Sequence, residues 1–128
     1  MTSALTPVVR LVDSITELCL LDQGCIAVSG SHGGVSSARY AITARPLLSV
    51  FNDAGVGRNR AGIAALEIMQ AEGLAACTVS HDSACIGYSQ STFEDGVVSH
   101  ANELAQTLGI REGASLRDHD IVRRTLSA

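Results

Sequence analysis

Three segments of the chain repeat one order of features, and this repeat limits the fold more than any other property of the sequence. In each segment a short apolar run is followed by a Gly-rich or polar corner and then by a stretch with helical periodicity. The apolar runs cover 25–29, 47–51 and 75–79. Because they are almost continuously apolar, they are typical of strands covered on both faces. The sequence therefore predicts a small three-layer α/β fold, with a mainly parallel sheet and helices on both faces.

The helical stretches end at residues that stop helices. Pro46 lacks the N–H that a helix needs and disfavours helical geometry in the residue before it. Gly73 and Gly109 each follow a periodic stretch, at the position that favours left-handed dihedral angles. The predicted helices cover 35–45, 59–72 and 96–108.

The two ends of the chain are less strongly patterned. An edge strand is predicted over 8–12, and 13–21 fits either a short helix or another strand. The segment 110–128 is rich in Arg, Asp and Glu and is predicted to be a charged tail or terminal helix, lying on the body or on a neighbouring subunit. With 128 residues, 46% of them hydrophobic, the whole chain 1–128 is predicted to form a single α/β domain.

Composition excludes several functions. The net charge is −4 without a basic run, and aromatic residues make up 3%, which argues against a nucleic-acid partner. All nine basic residues are Arg, so Schiff-base or phosphate-loop lysine chemistry has no residue to carry it. No apolar run approaches the roughly 20 residues that span a bilayer, so we expect no membrane partner and a cytoplasmic location. The four cysteines form no Cys-x-x-Cys pair and are expected to be free thiols.

The polar corners bring reactive side chains to one place. In an open parallel sheet, the corners after the carboxyl ends of the strands lie along one edge. Imidazole is the best general acid or base at working pH, which points to His32 and His81. Asp53 is predicted to orient a histidine or to act as a base, and Cys85 is either a nucleophile or a small buried apolar residue. The predicted catalytic residues are thus His32, Asp53, His81 and Cys85.

The same corners offer groups that could hold a ligand. Glycines let the backbone approach an anion at the start of the first helix, although tight turns use glycine for steric reasons alone. Asn and Asp also commonly cap helices, and an Arg at such a place is often only a solvated surface residue. The predicted substrate-binding residues are Gly30, Ser31, Gly33, Gly34, Asn52, Arg58, Ser80 and Ser83.

No metal motif is present in the sequence, and neither a metal nor a cofactor is predicted, although His32, Asp53, His81 and Asp82 are of types that bind divalent ions. His100 is expected on the surface of the third helix, and His119 on the surface of the charged tail.

Taken together, these features predict an enzyme that acts on a small anionic metabolite bearing a carboxylate or amide, by His/Asp acid–base chemistry of the hydrolase or lyase type. The alternatives are a non-catalytic anion- or nucleotide-binding regulatory module and a subunit of a larger enzyme complex. The Ala- and Gly-rich helices and the charged tail also lead us to expect a homo-oligomer.

Overall fold

A computed structural model describes residues 8–127, with the side chains described up to residue 125. It contains one five-stranded sheet, and its strands lie in the order in which they occur along the chain. The strands are β1 (Val9–Val12), β2 (Ile26–His32), β3 (Leu48–Asn52), β4 (Ala75–Val79) and β5 (Val98–Ala101). The α-helices are α1 (Val35–Ala44), α2 (Ala64–Ala71), α3 (Ser89–Asp95), α4 (Glu103–Thr107) and α5 (Asp120–Ser127). Strands β1 to β4 are parallel and β5 is antiparallel to β4, which confirms the predicted α/β fold with its mainly parallel sheet.

Helices cover both faces of this sheet, because alternate residues of the buried strands point to opposite sides. On one face, Ala27, Phe51 and Ala76 pack with alanines of α1 and with Leu66 and Met69 of α2. The other face carries a second apolar cluster, in which strand residues pack with residues from the last third of the chain. Its fully buried members include Ile26, Val28, Leu48, Val50, Cys77, Val79, Val98, Ala105, Leu116 and Val122.

In the described part of the chain, no helix is long and apolar enough to cross a membrane.

The predicted helix over 96–108 is wrong. Its first half is the antiparallel strand β5, and the preceding residues form α3, which the sequence analysis did not assign. The β-branched pair Val97–Val98 favours extended backbone, and Asn102 starts α4 by accepting a hydrogen bond from the N–H of Ala105. The apolar spacing that suggested one helix belongs instead to a strand followed by a short helix.

The predicted helix over 59–72 is only partly right. A 3₁₀ segment (Arg58–Ile63) precedes α2, and Asn59 and Arg60 within it have left-handed dihedral angles. The N–H of Gly62 donates to the carbonyl of Val56, so the chain turns back on itself before the α-helix begins. The first helix is confirmed, as α1.

The first predicted corner is shorter than expected. Strand β2 continues to His32, so Gly30 and Ser31 lie within the strand, and Gly33 and Gly34 alone link it to α1. The strand extends because the turn at 85–88 packs against Gly30 and its Gly87 N–H donates to the Gly30 carbonyl.

Both ends of the described segment, 8–127, are tied to the body. β1 is the predicted edge strand, and it is followed by two 3₁₀ turns, Ile15–Glu17 and Leu20–Asp22, rather than by the helix or strand left open. The charged segment from residue 110 contains α5 and buries Ile110, Leu116 and Val122 in the second cluster. The apolar residues among its charges make it part of the core.

Candidate active site at the carboxyl edge of the sheet

The carboxyl ends of three neighbouring strands meet as predicted. His32 pairs with Asn52 across β2 and β3, and Asn52 pairs with Val79 across β3 and β4. With about 4.8 Å between strands, these three positions span about 10 Å. His32, Asp53 and His81 therefore start from one short stretch of the sheet edge.

Asp53 and His81 are in direct contact. The Oδ1 atom of Asp53 accepts hydrogen bonds from the N–H of Gly55 at 2.8 Å and from the N–H of His81 at 3.0 Å. The ring Nδ1 of His81 lies 3.5 Å from the same oxygen. The carboxylate is 6% exposed and the imidazole 53%, so a buried acid supports an accessible ring. This arrangement lets the carboxylate orient the imidazole and stabilise its charged form.

The surroundings of Asp53 favour its ionised form. Burial acts to raise the pKa of this carboxyl, but the Gly55 N–H, the Ser99 hydroxyl, the His81 N–H and the charge of His81 outweigh it. The net effect holds the pKa of Asp53 below its ordinary value. Asp53 is therefore a carboxylate at neutral pH, as an orienting group for histidine must be.

The loop that follows Asp53 has an unusual backbone. Gly57 donates to the Gly55 carbonyl at 2.8 Å, which closes a three-residue turn around Val56, a β-branched residue with φ of 69°. Such residues rarely adopt positive φ, and strained backbone of this kind is concentrated at functional sites. The residues of positive φ in this loop are Ala54, Gly55, Val56, Gly57, Asn59 and Arg60. The loop holds Gly55 against the ring of His81, where a Cβ would lie 3.4 Å from the ring.

Two glycines allow the strand ends to approach each other closely. A Cβ on Gly33 would lie 2.7 Å from the carbonyl oxygen of Gly62, and a Cβ on Gly62 would overlap the carbonyl oxygen of Asp53. A side chain at Gly62 would displace the Asp53 backbone, and one at Gly33 would displace the Gly62 backbone that packs against it. Gly33 therefore supports the geometry of Asp53.

Gly34 brings His32 to the start of α1. It is the N-cap of the helix and offers no side-chain hydrogen bond to the first turn. A Cβ there would lie 2.7 Å from Nε2 of His32, so the imidazole lies directly beside the helix N-terminus. His32 is exposed, as a ligand-binding side chain must be.

Asn52 has a structural role in this structure. It is fully buried, its Oδ1 accepts from the N–H of Ala54, and its Nδ2 donates to the carbonyl of Ala84. These bonds connect the end of β3 to the turns after β3 and β4. The side chain presents no exposed group to a ligand at the rim.

Three predicted serines are likewise used within the fold. Ser31 Oγ accepts from the N–H of Ile15, and Ser80 Oγ accepts from the N–H of Ser83. Ser83 Oγ donates to the Ser80 carbonyl and accepts from the N–H of Val97. These hydroxyls shape the turns around the edge of the sheet. Gly30 also has a structural role, because a Cβ at Gly30 would lie 2.5 Å from the backbone of Gly87.

Cys85 and Arg58 lie at the surface of the same region. Cys85 is exposed, so it is not the buried apolar residue that one interpretation expected. Its turn is anchored at Ala84 to Asn52 of β3 and at Gly87 to Gly30 of β2. No hydrogen bond joins its thiol to an imidazole within residues 8–127. Arg58 is exposed at the start of the 3₁₀ segment.

Sequence reasoning missed the Ser99 hydroxyl. Ser99 on β5 contributes to lowering the pKa of Asp53, and its Oγ lies 2.9 Å from Oγ1 of the fully buried Thr78. Ser99 lay in a segment predicted as helix, so nothing linked it to β4. The adjacent β-branched residues Val97 and Val98 favour a strand, but this short signal is outweighed by the helical apolar spacing of 96–108.

A groove of about 650 Å³ lies next to this site, between α2 and β5. Asn59 and Arg60 form one wall of the groove, and His100, which follows Ser99, forms another. His100 is therefore not on a helix surface, and its Nδ1 is buried without a hydrogen-bond partner among the described residues. The expectation for His119 is also wrong, because its ring is buried between the Arg111 N–H and the Leu116 carbonyl.

Over the part of the chain that the structure describes, no three His, Cys, Asp or Glu residues are grouped to hold a metal ion.

Comparison with known proteins adds no relative: no family model, curated protein or solved structure matches the chain.

Proposed function

We propose that the protein is an enzyme in which His81 is the general acid–base and Asp53 orients it. The observation that carries this proposal is the contact between a buried, ionised carboxylate and an exposed imidazole at the carboxyl edge of a parallel sheet. The Nδ1 of His81 faces Asp53, which leaves Nε2 to exchange a proton with a substrate or water.

The second ring nitrogen is accessible. Nε2 lies 3.2 Å from Oδ1 of Asp82, whose side chain is 86% exposed. Exposed ion pairs contribute little to stability, about 0 to 1 kcal/mol, so a substrate can displace Asp82 at small cost. The contact of Nδ1 with Asp53, at 3.5 Å, is longer than a good hydrogen bond, as is common before a substrate binds.

An anionic group of the substrate would bind beside this pair. The first turn of α1 has no side-chain cap, and its N–H groups and dipole favour negative charge. His32 lies next to that helix end, and the exposed Arg58, in the loop that follows Asp53, would contribute a positive charge. These groups support a small carboxylate- or amide-bearing metabolite as substrate.

The reaction proposed is hydrolysis or elimination. In hydrolysis His81 would take a proton from the attacking water, and in elimination it would take one from the substrate carbon. In both cases Asp53 would stabilise the imidazolium that forms. Chemistry on a small metabolite, in a chain with four free thiols, fits a cytoplasmic enzyme.

The test is turnover by the full chain on a defined mixture of small carboxylic acids and amides, followed by proton NMR. We expect wild type to consume at least one component, and the His81→Gln and Asp53→Asn variants to do so about 10²- to 10⁴-fold more slowly. Asp118→Asn, an exposed acid of the 116–118 turn, is the matched control and should retain full activity. Undiminished turnover in His81→Gln would show that the pair is not catalytic.

A second candidate is an anion-binding module without catalysis, which the uncapped start of α1 favours. It predicts that inorganic phosphate or citrate raises the melting temperature while no component of the mixture is consumed. A substitution of His32 would then reduce the thermal shift, and a substitution of His81 would not.

Self-association is also proposed, on the basis of apolar residues left at the surface. Leu20 and Leu21, in the second 3₁₀ turn, are 69% and 95% exposed. Contact with a second copy of the chain would remove the apolar surface of these two side chains from water. Native mass spectrometry tests the proposal, and a monomer at micromolar concentration would contradict it.

A further inference from the structure

The groove between α2 and β5 is large enough to hold a small molecule. Its volume of about 650 Å³ lies within the range of about 300 to 1,000 Å³ found for ligand pockets. One wall is a single face of α2, because Ala64, Glu67 and Ala71 are spaced by three and four residues. His100 and Ala101 of β5 form another wall. Two walls of the groove are therefore set by regular secondary structure.

Charged side chains line this groove without pairing with one another. Glu67 belongs to α2, Glu103 to α4 and Glu112 to the loop after α4. Arg60 comes from the 3₁₀ segment, and all four side chains are exposed. The ion pairs found within residues 8–127 include none of the four. Three carboxylates against one guanidinium give the lining a formal charge of −2, which favours a cationic ligand.

The three carboxylates are spread along the groove. No three His, Cys, Asp or Glu side chains among the described residues are grouped to hold a metal ion, so these glutamates do not converge on one point. The same groove is lined by the apolar side chains of Ile63, Leu66 and Ala101. A ligand that matches separated carboxylates and apolar surface has ammonium groups joined by methylene carbons. Aliphatic diamines and polyamines have this structure.

His100 brings to the groove a polar atom that the fold does not use. Its Nδ1 is buried and has no hydrogen-bond partner in the described part of the chain, whereas buried polar atoms in proteins nearly always have one. A neutral imidazole has one nitrogen that accepts a hydrogen bond. No hydrogen bond at Nδ1 opposes rotation of the ring, and an ammonium group in the groove would then donate to it.

We propose that this groove is a binding site for an aliphatic diamine or polyamine. The ammonium groups of the ligand pair with Glu67, Glu103 and Glu112, and its methylene chain packs against Ile63 and Leu66. The inference does not depend on the proposed function, because none of the residues assigned to catalysis lines the groove.

Isothermal titration calorimetry of the full chain with spermidine tests the proposal. We expect saturable binding that weakens as salt is added, because ion pairs near the surface are screened. Each of Glu67→Gln, Glu103→Gln and Glu112→Gln should weaken binding by about two- to fivefold, as expected for exposed ion pairs. Glu94→Gln is the matched control for the loss of one charge, since Glu94 is an exposed acid of α3 outside the groove, and it should leave the affinity unchanged.

Arg60→Gln distinguishes a cationic ligand from an anionic one, because the two predict changes of opposite sign. Removal of this positive charge should strengthen spermidine binding by about two- to fivefold. Citrate is the anionic probe. Binding of citrate that is lost in Arg60→Gln, without binding of spermidine, would overturn the proposal.

Nitrogen NMR of the histidine rings locates the bound spermidine. The ring signals of His100 should move during the titration, and those of His119, which is buried outside the groove, should not. Unmoved His100 signals, or equal weakening by Glu94→Gln and the three groove variants, would show that spermidine is attracted only by the net charge of −4, and the proposal would fail. Undiminished turnover in His81→Gln would instead count against the proposed function alone.

Discussion

Asp53 shows how one residue joins the fold to the candidate chemistry. Its backbone N–H donates to the Val79 carbonyl and so continues the sheet by one residue, while its side chain bonds to the turn after β4 through His81. The same residue therefore links the ends of β3 and β4 and supports the imidazole. Stability and activity should consequently respond together when it is changed.

Asp53→Asn should lower the free energy of unfolding at pH 7 by about 1 to 3 kcal/mol, because buried hydrogen bonds lose a charged acceptor. The difference from wild type should depend on pH. The folded-state pKa of Asp53 is lower than the unfolded value of about 3.9, so its stabilisation is complete above that value and is lost as pH falls through the folded pKa.

Urea titrations of both proteins between pH 2 and pH 7 measure this difference. Asp13 and Asp22 also have a lowered pKa, but they are present in both proteins and cancel in the comparison. If the difference in free energy of unfolding between wild type and Asp53→Asn stayed constant below pH 4, the assignment of a lowered pKa to Asp53 would be contradicted.

At the scale of elements, the regions that could be predicted are those where local signals and packing agree. The apolar runs of β2, β3 and β4 and the helix before Pro46 have no competing pattern. Their order along the chain therefore predicts the parallel sheet and the edge at which His32, Asp53 and His81 follow the strand ends. Segment 96–108 could not be predicted, because its apolar spacing fits a helix while its pairing with β4 depends on residues about 20 positions away. Ser99 was missed with it.

Asn102 decides where β5 ends and α4 begins. Its Oδ1 accepts from the N–H groups of Ala76 and Ala105, and its Nδ2 donates to the carbonyls of Leu66 and Leu74. The side chain thus caps α4 and also connects it to β4, to α2 and to Leu74, the residue before β4.

Asn102→Ala should therefore destabilise the protein by about 3 kcal/mol or more, since each buried group left without a partner costs about 1 to 3 kcal/mol. Glu103→Ala, an exposed neighbour in the first turn of α4, is the matched control and should change stability by about 0.5 kcal/mol. Chemical denaturation monitored by circular dichroism measures both. Equal effects of the two substitutions would show that the Asn102 bonds do not hold this junction.

At the scale of the whole molecule, the sheet separates two apolar clusters, and each contains a thiol that reports on its integrity. Cys25 is buried in the cluster under α1 and α2, and Cys77 is buried in the cluster on the opposite face. Burial, together with the nearby charge of Asp22, raises the pKa of Cys25 to about 11, and burial raises that of Cys77 to about 12. Cys19 and Cys85 are exposed.

Only thiolates react rapidly with alkylating reagents, so the native protein at pH 8 should take up iodoacetamide at Cys19 and Cys85 and not at Cys25 and Cys77. Mass spectrometry of peptides from the labelled chain should show two modified sites in native conditions and four in 8 M urea. Under intermediate urea, Cys25 and Cys77 should become reactive together if the two faces unfold in one transition, because the strands between them are shared. Earlier labelling of Cys25 would instead mean that the α1 and α2 layer detaches while the sheet and its other face remain folded. Rapid labelling of Cys25 or Cys77 in the absence of urea would contradict the two-cluster core.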